Sequence, residues 1–474
     1  MKKVFFLILI CISAHSFSQS QITWTMGMNV ASSASGNNHP RVVVDGSGNP
    51  LVLWGHSNRA MFSRWNGSSF TTPVMLHPGT MQVAHASWMG PDIASKGDTV
   101  YAVFKLVPEG DTSSHIYIVR SFNGGVNFTS PIQVDFIGDS ISRFPVVAVD
   151  ASGNPVVAFM KFNPVFGDAR WVVTRSNDYG NSFTTDVKAS GWSSVTSTVC
   201  DCCPGEIVSS GNNVAVLYRD NNSNLRDSWA GLSVDGGNTF SGGWNMDQNN
   251  WMIMSCPASG PDGVIAGDSL FSVFMNGAAA TRVYKNISSV SGMSAPVSQT
   301  ITGTITGLNT QNFPRIDKFG NAMAIVWKQN VSGADQLPIL FTNDFTSGFP
   351  AAYDTVDLDD ITNADVALSN GNVFVVWEDD ASGTVKFRKG IFSPVIAAVA
   401  ERGPNYSSSF PNPVSKQLSV SVKNFLHADL LTTDGRKVLS IKEAQTDIDC
   451  LPQGIYFLKI YCSDKTFTYK LFKE

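Results

Sequence analysis

Four cysteines in two short segments carry the strongest chemistry in this sequence. Cys200-Asp201-Cys202-Cys203-Pro204-Gly205-Glu206 holds three of them, and Cys256-Pro257-Ala258-Ser259-Gly260-Pro261 holds the fourth. Thiols so grouped have two uses. They can form two disulfides that pin neighbouring loops, or, as thiolates, hold a soft metal such as Cu(I) or Zn. Cys202 and Cys203 are adjacent, so each needs a different partner, and Cys256 is expected to pair with one member of the cluster. Between the segments lie Tyr218-Arg219-Asp220 and Asn224-Leu225-Arg226-Asp227. With Glu206, the residues Arg219, Asp220, Arg226 and Asp227 are expected to form a charged, ligand-binding rim beside the cysteines. The competing expectation is a buried salt-bridge network around the disulfides.

Three further arginines, Arg41, Arg143 and Arg315, stand at or next to the starts of recurring strands. A guanidinium fork matches a carboxylate in two contacts, so these are candidates for gripping an acidic ligand. Local salt bridges are the plainer use. Met26, Met28, Met61, Met75, Met81 and Met89 fall in one region with His39, His56, His77 and His85, a thioether and imidazole set that suits copper. A methionine-rich core gives the same spacing, so no cofactor is assigned, with copper or zinc as the alternative. No phosphate-binding Gly loop, zinc-protease His pair or Gly-x-Ser-x-Gly elbow is present.

These residues sit on a repeat. A Pro or small residue, a β-branched pair, a Gly/Asn turn and an apolar strand ending in an aromatic recur seven times. The copies are Pro40–Trp54, Pro91–Phe104, Phe144–Phe159, Gly205–Tyr218, Gly260–Phe274, Phe313–Trp327 and Asn363–Trp377. Second hairpins between copies share a turn: Ser121, Asn123, Gly125 and Phe128; Ser176, Asp178, Gly180 and Phe183; Ser233, Asp235, Gly237 and Phe240. These turns resemble the Asp-box of the sialidase-like (BNR) propellers. The resemblance implies an all-β propeller, seven blades by copy number or six as in sialidases, with these turns structural. Ile22-Thr23-Trp24 is expected to close the ring by joining the last blade, which removes sheet edges. Sialidases grip a sugar carboxylate with three arginines above a Tyr–Glu pair and an Asp acid. Here their Arg-Ile-Pro order is absent, replaced by Pro40-Arg41-Val42 and Pro314-Arg315-Ile316, and no Tyr/Glu pair can be placed. The expected function is therefore binding of an extracellular glycan or protein at the channel mouth. An exo-acting glycoside hydrolase of exo-α-sialidase type is the first alternative, and a metal-binding propeller the second.

The ends differ from the middle. Lys2, Lys3 and the apolar run Val4–Ile12 read as a signal peptide over residues 1–18. No other long apolar stretch follows, so no transmembrane segment is expected. The signal removes Cys11 and leaves six cysteines, an even count that favours disulfides in an exported chain. Residues 19–399, the expected propeller, hold 21 Lys or Arg against 30 Asp or Glu, a net of −9. That charge argues against nucleic acid. Residues 400–409 read as a linker. Residues 410–474 follow, beginning Phe410-Pro411-Asn412-Pro413. They continue with Leu418-Ser419-Val420-Ser421-Val422, Asp434-Gly435-Arg436-Lys437-Val438 and Leu451-Pro452-Gln453-Gly454-Ile455-Tyr456-Phe457-Leu458. This order of motifs resembles the C-terminal sorting domain of cargo of the type IX secretion system of Bacteroidetes. It implies a small immunoglobulin-like β-sandwich that engages the secretion machinery through residues 410–474. It also implies passage through the periplasm and delivery to the medium or the cell surface.

Overall fold

The computed structural model describes residues 21–394, apart from 32–34, and residues 412–474, apart from 421, 423, 433–434 and 464–465. The expected signal and linker lie outside the described residues. The chain forms two compact units, Met1–Val395 and Ile396–Glu474.

Among its described residues, the first unit contains seven antiparallel sheets of four or five strands. Each begins with an inner strand: Asn37–Val44, Asp92–Lys96, Ile141–Val149, Glu206–Ser210, Asp262–Ala266, Leu308–Phe319 and Ile361–Ser369. Each inner strand touches the next in that order, and the last touches the first, so the sheets are blades around one channel. The ring closes as its residues demand. Thr23 and Trp24 pair with Ile391 and Gly390 of the last blade, and the Trp24 indole donates to Asp354 at 2.9 Å.

The core is not central. It consists of seven apolar clusters, one between each pair of neighbouring blades. Every blade is therefore sandwiched, which is why strands such as Pro155–Phe162 are nearly continuous apolar runs. The aromatic ending each hairpin copy is fully buried in all seven: Trp54, Phe104, Phe159, Tyr218, Phe274, Trp327 and Trp377.

The three shared turns have one hydrogen-bond pattern. The Ser121 hydroxyl donates to Asn123 and accepts from Gly125 N–H at 3.0 Å. Ser176 and Ser233 do the same with Asp178 and Gly180, and with Asp235 and Gly237. Donors from Ser182 and Ser176 hold the Asp178 carboxyl down at about 2. The turn also requires its glycine. Gly125 has φ +76°, and a Cβ there would lie 2.6 Å from the Phe62 ring. Gly125→Ala is expected to destabilise the propeller by about 1–3 kcal/mol. An unchanged urea midpoint would show that the turn adapts instead.

In the second unit, Gln417–Ser419 pairs with Gln445–Asp447. A four-stranded sheet runs in the order Lys437–Ile441, Phe425–Leu431, Gly454–Cys462, Thr466–Lys473. Leu418, Leu430, Ile448, Leu458, Ile460 and Leu471 fill its core.

Candidate functional site

Six of the seven inner strands carry a proline, just before the strand at Pro91, Pro204 and Pro261 and within it at Pro40, Pro145 and Pro314. Proline fixes φ and donates no hydrogen bond, so it suits the point where the chain turns into the channel. His39, Phe144 and Phe313 precede three of these prolines with left-handed φ of 54°, 53° and 49°. Each lies at a register shift in its strand. Such conformations cost about 1–3 kcal/mol for bulky residues and recur at functional sites. All three line one funnel of about 580 Å3, open mouth included. Trp88, Met89 and Asn363 also line it. Asn363 is 5% exposed, and its side-chain Nδ2 has no hydrogen-bond partner among the described residues.

The inner-strand position paired with the residue before each closing aromatic reads Arg41, Asp92, Val146, Glu206, Asp262, Arg315, Asp365 around the ring. Six of seven blades thus send a charged side chain toward the axis. Asp92, Glu206 and Arg315 line both the funnel and a wider space beyond it, about 1220 Å3 with its opening to solvent included, so the charged layer separates the two. Arg315 contacts Glu206 at 2.6 Å, Asp365 at 3.1 Å and Asp262 at 3.3 Å. Arg41 reaches Asp92 at 3.8 Å.

The acids also stitch blade to blade. Asp365 accepts from Val42 N–H, Asp92 from Val147, Asp262 from Ile316 and Asp317 from Leu368, each across a blade boundary. Burial raises Asp92 and Asp262 to about 7, with the arginines opposing. Burial alone would lower Arg315, but Asp262, Glu206 and Asp365 hold it well above its ordinary value. Burial, with Arg41 and Arg315 nearby, keeps the His39 imidazole neutral.

The three candidate arginines therefore do not form one grip. Arg41 and Arg315 share the channel layer. Arg143 is held by both oxygens of Glu109, at 2.6 and 2.8 Å, and stacks on Phe144. Among the described residues, no tyrosine lines the funnel.

The cysteine segments meet beside the mouth. Cys202 and Cys256 form a disulfide, and a Cβ on Gly260 would lie 2.1 Å from the Pro204 carbonyl. Pro204, Gly205, Glu206, Gly260 and Pro261 continue both segments into the funnel wall. Cys200 and Cys203 are buried thiols with sulfurs 3.2 Å apart, and the four sulfurs lie within 4.8 Å of one another. A thiol hydrogen bond from Cys203 draws Cys200 down, as do Arg219 and Arg226, while burial pushes Cys203 up.

The expected charged rim needs correction. Arg219, Asp220 and Asp227 are each 1% exposed and Arg226 is 8% exposed, so they form a buried layer rather than an open surface. Nor, among the described residues, do they make a salt-bridge network. Asp227 accepts from Asn245, Asn250 and Trp251. Asp220 accepts from Ser193, and burial raises it to about 7. Arg219 and Arg226 donate to carbonyls and to a cysteine sulfur. Only Glu206 of that set faces the channel. The histidines are engaged separately. His77 accepts from Ala60 N–H, and His85 accepts from Asn58 N–H and contacts Asn38.

Sequence reasoning overlooked Trp88, Asn363 and the channel acids Asp92, Asp262 and Asp365. In register, each charged position pairs with the residue just before the closing aromatic of its copy, so aligning the copies on those aromatics is the signal that could have found it.

Residues 408–474 match the family described as a secretion system C-terminal sorting domain. The second unit is a type IX sorting domain. The sorting domain marks the chain for export, to the medium or the cell surface. Among the described residues, no helix is long and apolar enough to cross a membrane. No curated protein matches the chain. Among solved structures, an ulvan lyase from a polysaccharide lyase family is 10% identical with a TM-score of 0.51, covering 76% of this chain and 94% of that one. A Hadza microbial sialidase is 11% identical, TM-score 0.46, covering 78% and 68%. The Trypanosoma rangeli sialidase is 11% identical, TM-score 0.43, covering 92% and 84%. At these identities the likeness is one of fold.

Proposed function

We propose that the propeller, once exported, is a binding module that takes part of an extracellular glycan at its channel mouth. The observation that carries this reading is the partly exposed pair of rings, Trp88 and Phe313, in a funnel wall shared with polar Asn363, Arg41 and Glu206. Aromatic faces with a few convergent polar groups are the surface that sugar rings require. The ulvan lyase fold, described with a bound glucuronate–rhamnose sulfate unit, supports carbohydrate as the ligand class. An exo-α-sialidase reading has less support. Arg315 and Arg143 are already occupied by carboxylates, and four acids outnumber two arginines in the channel. A neutral sugar suits this charge better than a sialate does.

Glycan-array screening of the full mature chain, followed by calorimetry on the best hit, tests the proposal. Trp88→Ala is expected to weaken binding on the order of tenfold, about 1.4 kcal/mol, measured well below an unfolding midpoint that falls because the ring packs edge-on against Phe144. Equal binding by Trp88→Ala, or protein ligands alone, would sink the glycan reading. No product is expected from a fluorogenic sialoside, and its release would favour the hydrolase.

A further inference from the structure

The cysteine cluster lies outside the funnel, and glycan binding does not use it. Its four sulfurs lie within 4.8 Å of one another, near enough for a thiol to reach the neighbouring disulfide once its side chain rotates. Cys200 Sγ lies 3.7 Å from Cys202 Sγ, which is already bonded to Cys256, and 3.2 Å from Cys203 Sγ. Cys200 and Cys203 have the Cys-x-x-Cys spacing that closes a small disulfide ring, as in disulfide oxidoreductases. Cys256 is exposed, whereas Cys200 and Cys203 are buried. One couple therefore faces solvent and the other is shielded behind it.

The charges agree. Arg226 places Nη1 3.2 Å from Cys200 Sγ, and its Nε has no partner among the described residues. Arg219, 1% exposed, donates to the carbonyls of Arg226, Ser259 and Met275. Among the described residues neither guanidinium has a carboxylate partner. Buried cations are normally paired, and a thiolate at Cys200 supplies the missing anion.

We propose that the four sulfurs form a thiol–disulfide exchange centre, passing two electrons between the buried pair Cys200/Cys203 and the surface pair Cys202/Cys256. Side-chain rotation brings the Cys200 thiolate in line with the Cys202–Cys256 bond, and it attacks Cys202 Sγ. A Cys200–Cys202 bond forms, the Cys202–Cys256 bond breaks, and Cys256 leaves as a thiolate that takes a proton from solvent. Cys203 then attacks Cys200 Sγ. A Cys200–Cys203 bond forms, and Cys202 leaves carrying the proton that Cys203 gives up. One disulfide has broken and one has formed, so the centre stays electron-balanced. The surface dithiol can then reduce an external disulfide. The Cys256 thiolate forms a mixed disulfide with it and expels one thiol. Cys202 resolves the mixed disulfide and expels the second. The substrate class is thus disulfides that reach Cys256 from outside, on proteins or small thiols.

The test maps the disulfides of the full mature chain. Protein equilibrated in glutathione buffers of stepped ratio is acid-quenched, alkylated and analysed by mass spectrometry. Both Cys202–Cys256 and Cys200–Cys203 should be populated, each with the other pair alkylated. In Cys203→Ser the reaction should stop halfway, with a Cys200–Cys202 link and Cys256 labelled at least tenfold more than in wild type. Cys200→Ser should keep Cys202–Cys256 intact and Cys256 unlabelled. The proposal fails if Cys202–Cys256 is the sole disulfide at every ratio and Cys203→Ser leaves it intact. It fails equally if the reduced protein holds one zinc or copper ion on all four thiols and no Cys200–Cys203 bond ever forms. Should either variant lose its native tryptophan fluorescence, the wild-type map alone decides.

Discussion

Arg315→Met should destabilise the propeller by about 3–5 kcal/mol, the cost of removing one partner from a buried ionic cluster. The loss follows from what remains. Glu206, Asp262 and Asp365 would face one another and Asp92 with only Arg41 left in the layer. The acids cannot turn away, because Asp262 and Asp365 also accept the backbone N–H groups of Ile316 and Val42 from the next blades. Guanidinium unfolding measures the effect, and pH gives it a signature. Asp92 and Asp262 are already raised to about 7, chiefly by burial. A carboxyl raised in the folded state favours folding below its unfolded value near 3.9, and that contribution is lost as pH rises through the folded value. Without Arg315 these carboxyls rise further, so the variant takes up protons at higher pH than the wild type. The deficit should be widest near pH 8 and should narrow as pH falls through about 7. A deficit independent of pH between 8 and 5 would show that lost packing, and not charge, sets the cost.

Cys256→Ser should have the second large effect, roughly 4 kcal/mol from the chain entropy released when a loop of this length opens. The disulfide spans 54 residues and joins the entries of the fourth and fifth blades. Exchange within the cluster cannot rescue it. Any remaining link would lie inside residues 200–203, leaving the segment around Cys256 untied. The funnel should suffer as well, since Gly205 and Gly260 continue the two tied segments into its wall. Urea unfolding of wild type and variant, each with and without reductant, checks both statements. The gap between them should close when the wild type is reduced. A gap that persists would mean that the introduced hydroxyl itself disturbs the contact between Gly260 and Pro204.

The repeat was legible because it obeys short-range rules. Alternation, turn glycines and the closing aromatic are set within a dozen residues, and all seven aromatics are buried. The blade turns were legible for the same reason, since serine, acid and glycine satisfy one another within five positions. The cysteine pairing was only half legible. Adjacency forbids Cys202 and Cys203 from sharing a partner, but spacing does not say which of them meets Cys256.

The charged residues were the least legible. Arg219, Asp220, Arg226 and Asp227 look like a surface when read along the chain, because such residues are usually exposed. In the folded chain they lie beneath the cysteine loops, where carbonyls, amides and a sulfur take most of their hydrogen bonds and Arg226 Nε and Asp220 Oδ1 are left without a partner among the described residues. Arg315 looks like a free grip for a ligand until the ring brings Glu206, Asp262 and Asp365 to it from three other blades.

The sequence by itself determined the hairpin unit, its copy number, the tail that marks the chain for export and the identity of the cysteines. These rest on local periodicity and on motifs read in order. Only the tertiary structure decided which charges are spent, which sulfurs touch and which amide is left without a partner. The reason is closure. Bringing seven inner strands around one axis places residues more than a hundred positions apart within hydrogen-bonding distance, as with Arg315 and Glu206. Whether a buried charge is paired there depends on neighbours that no local pattern names.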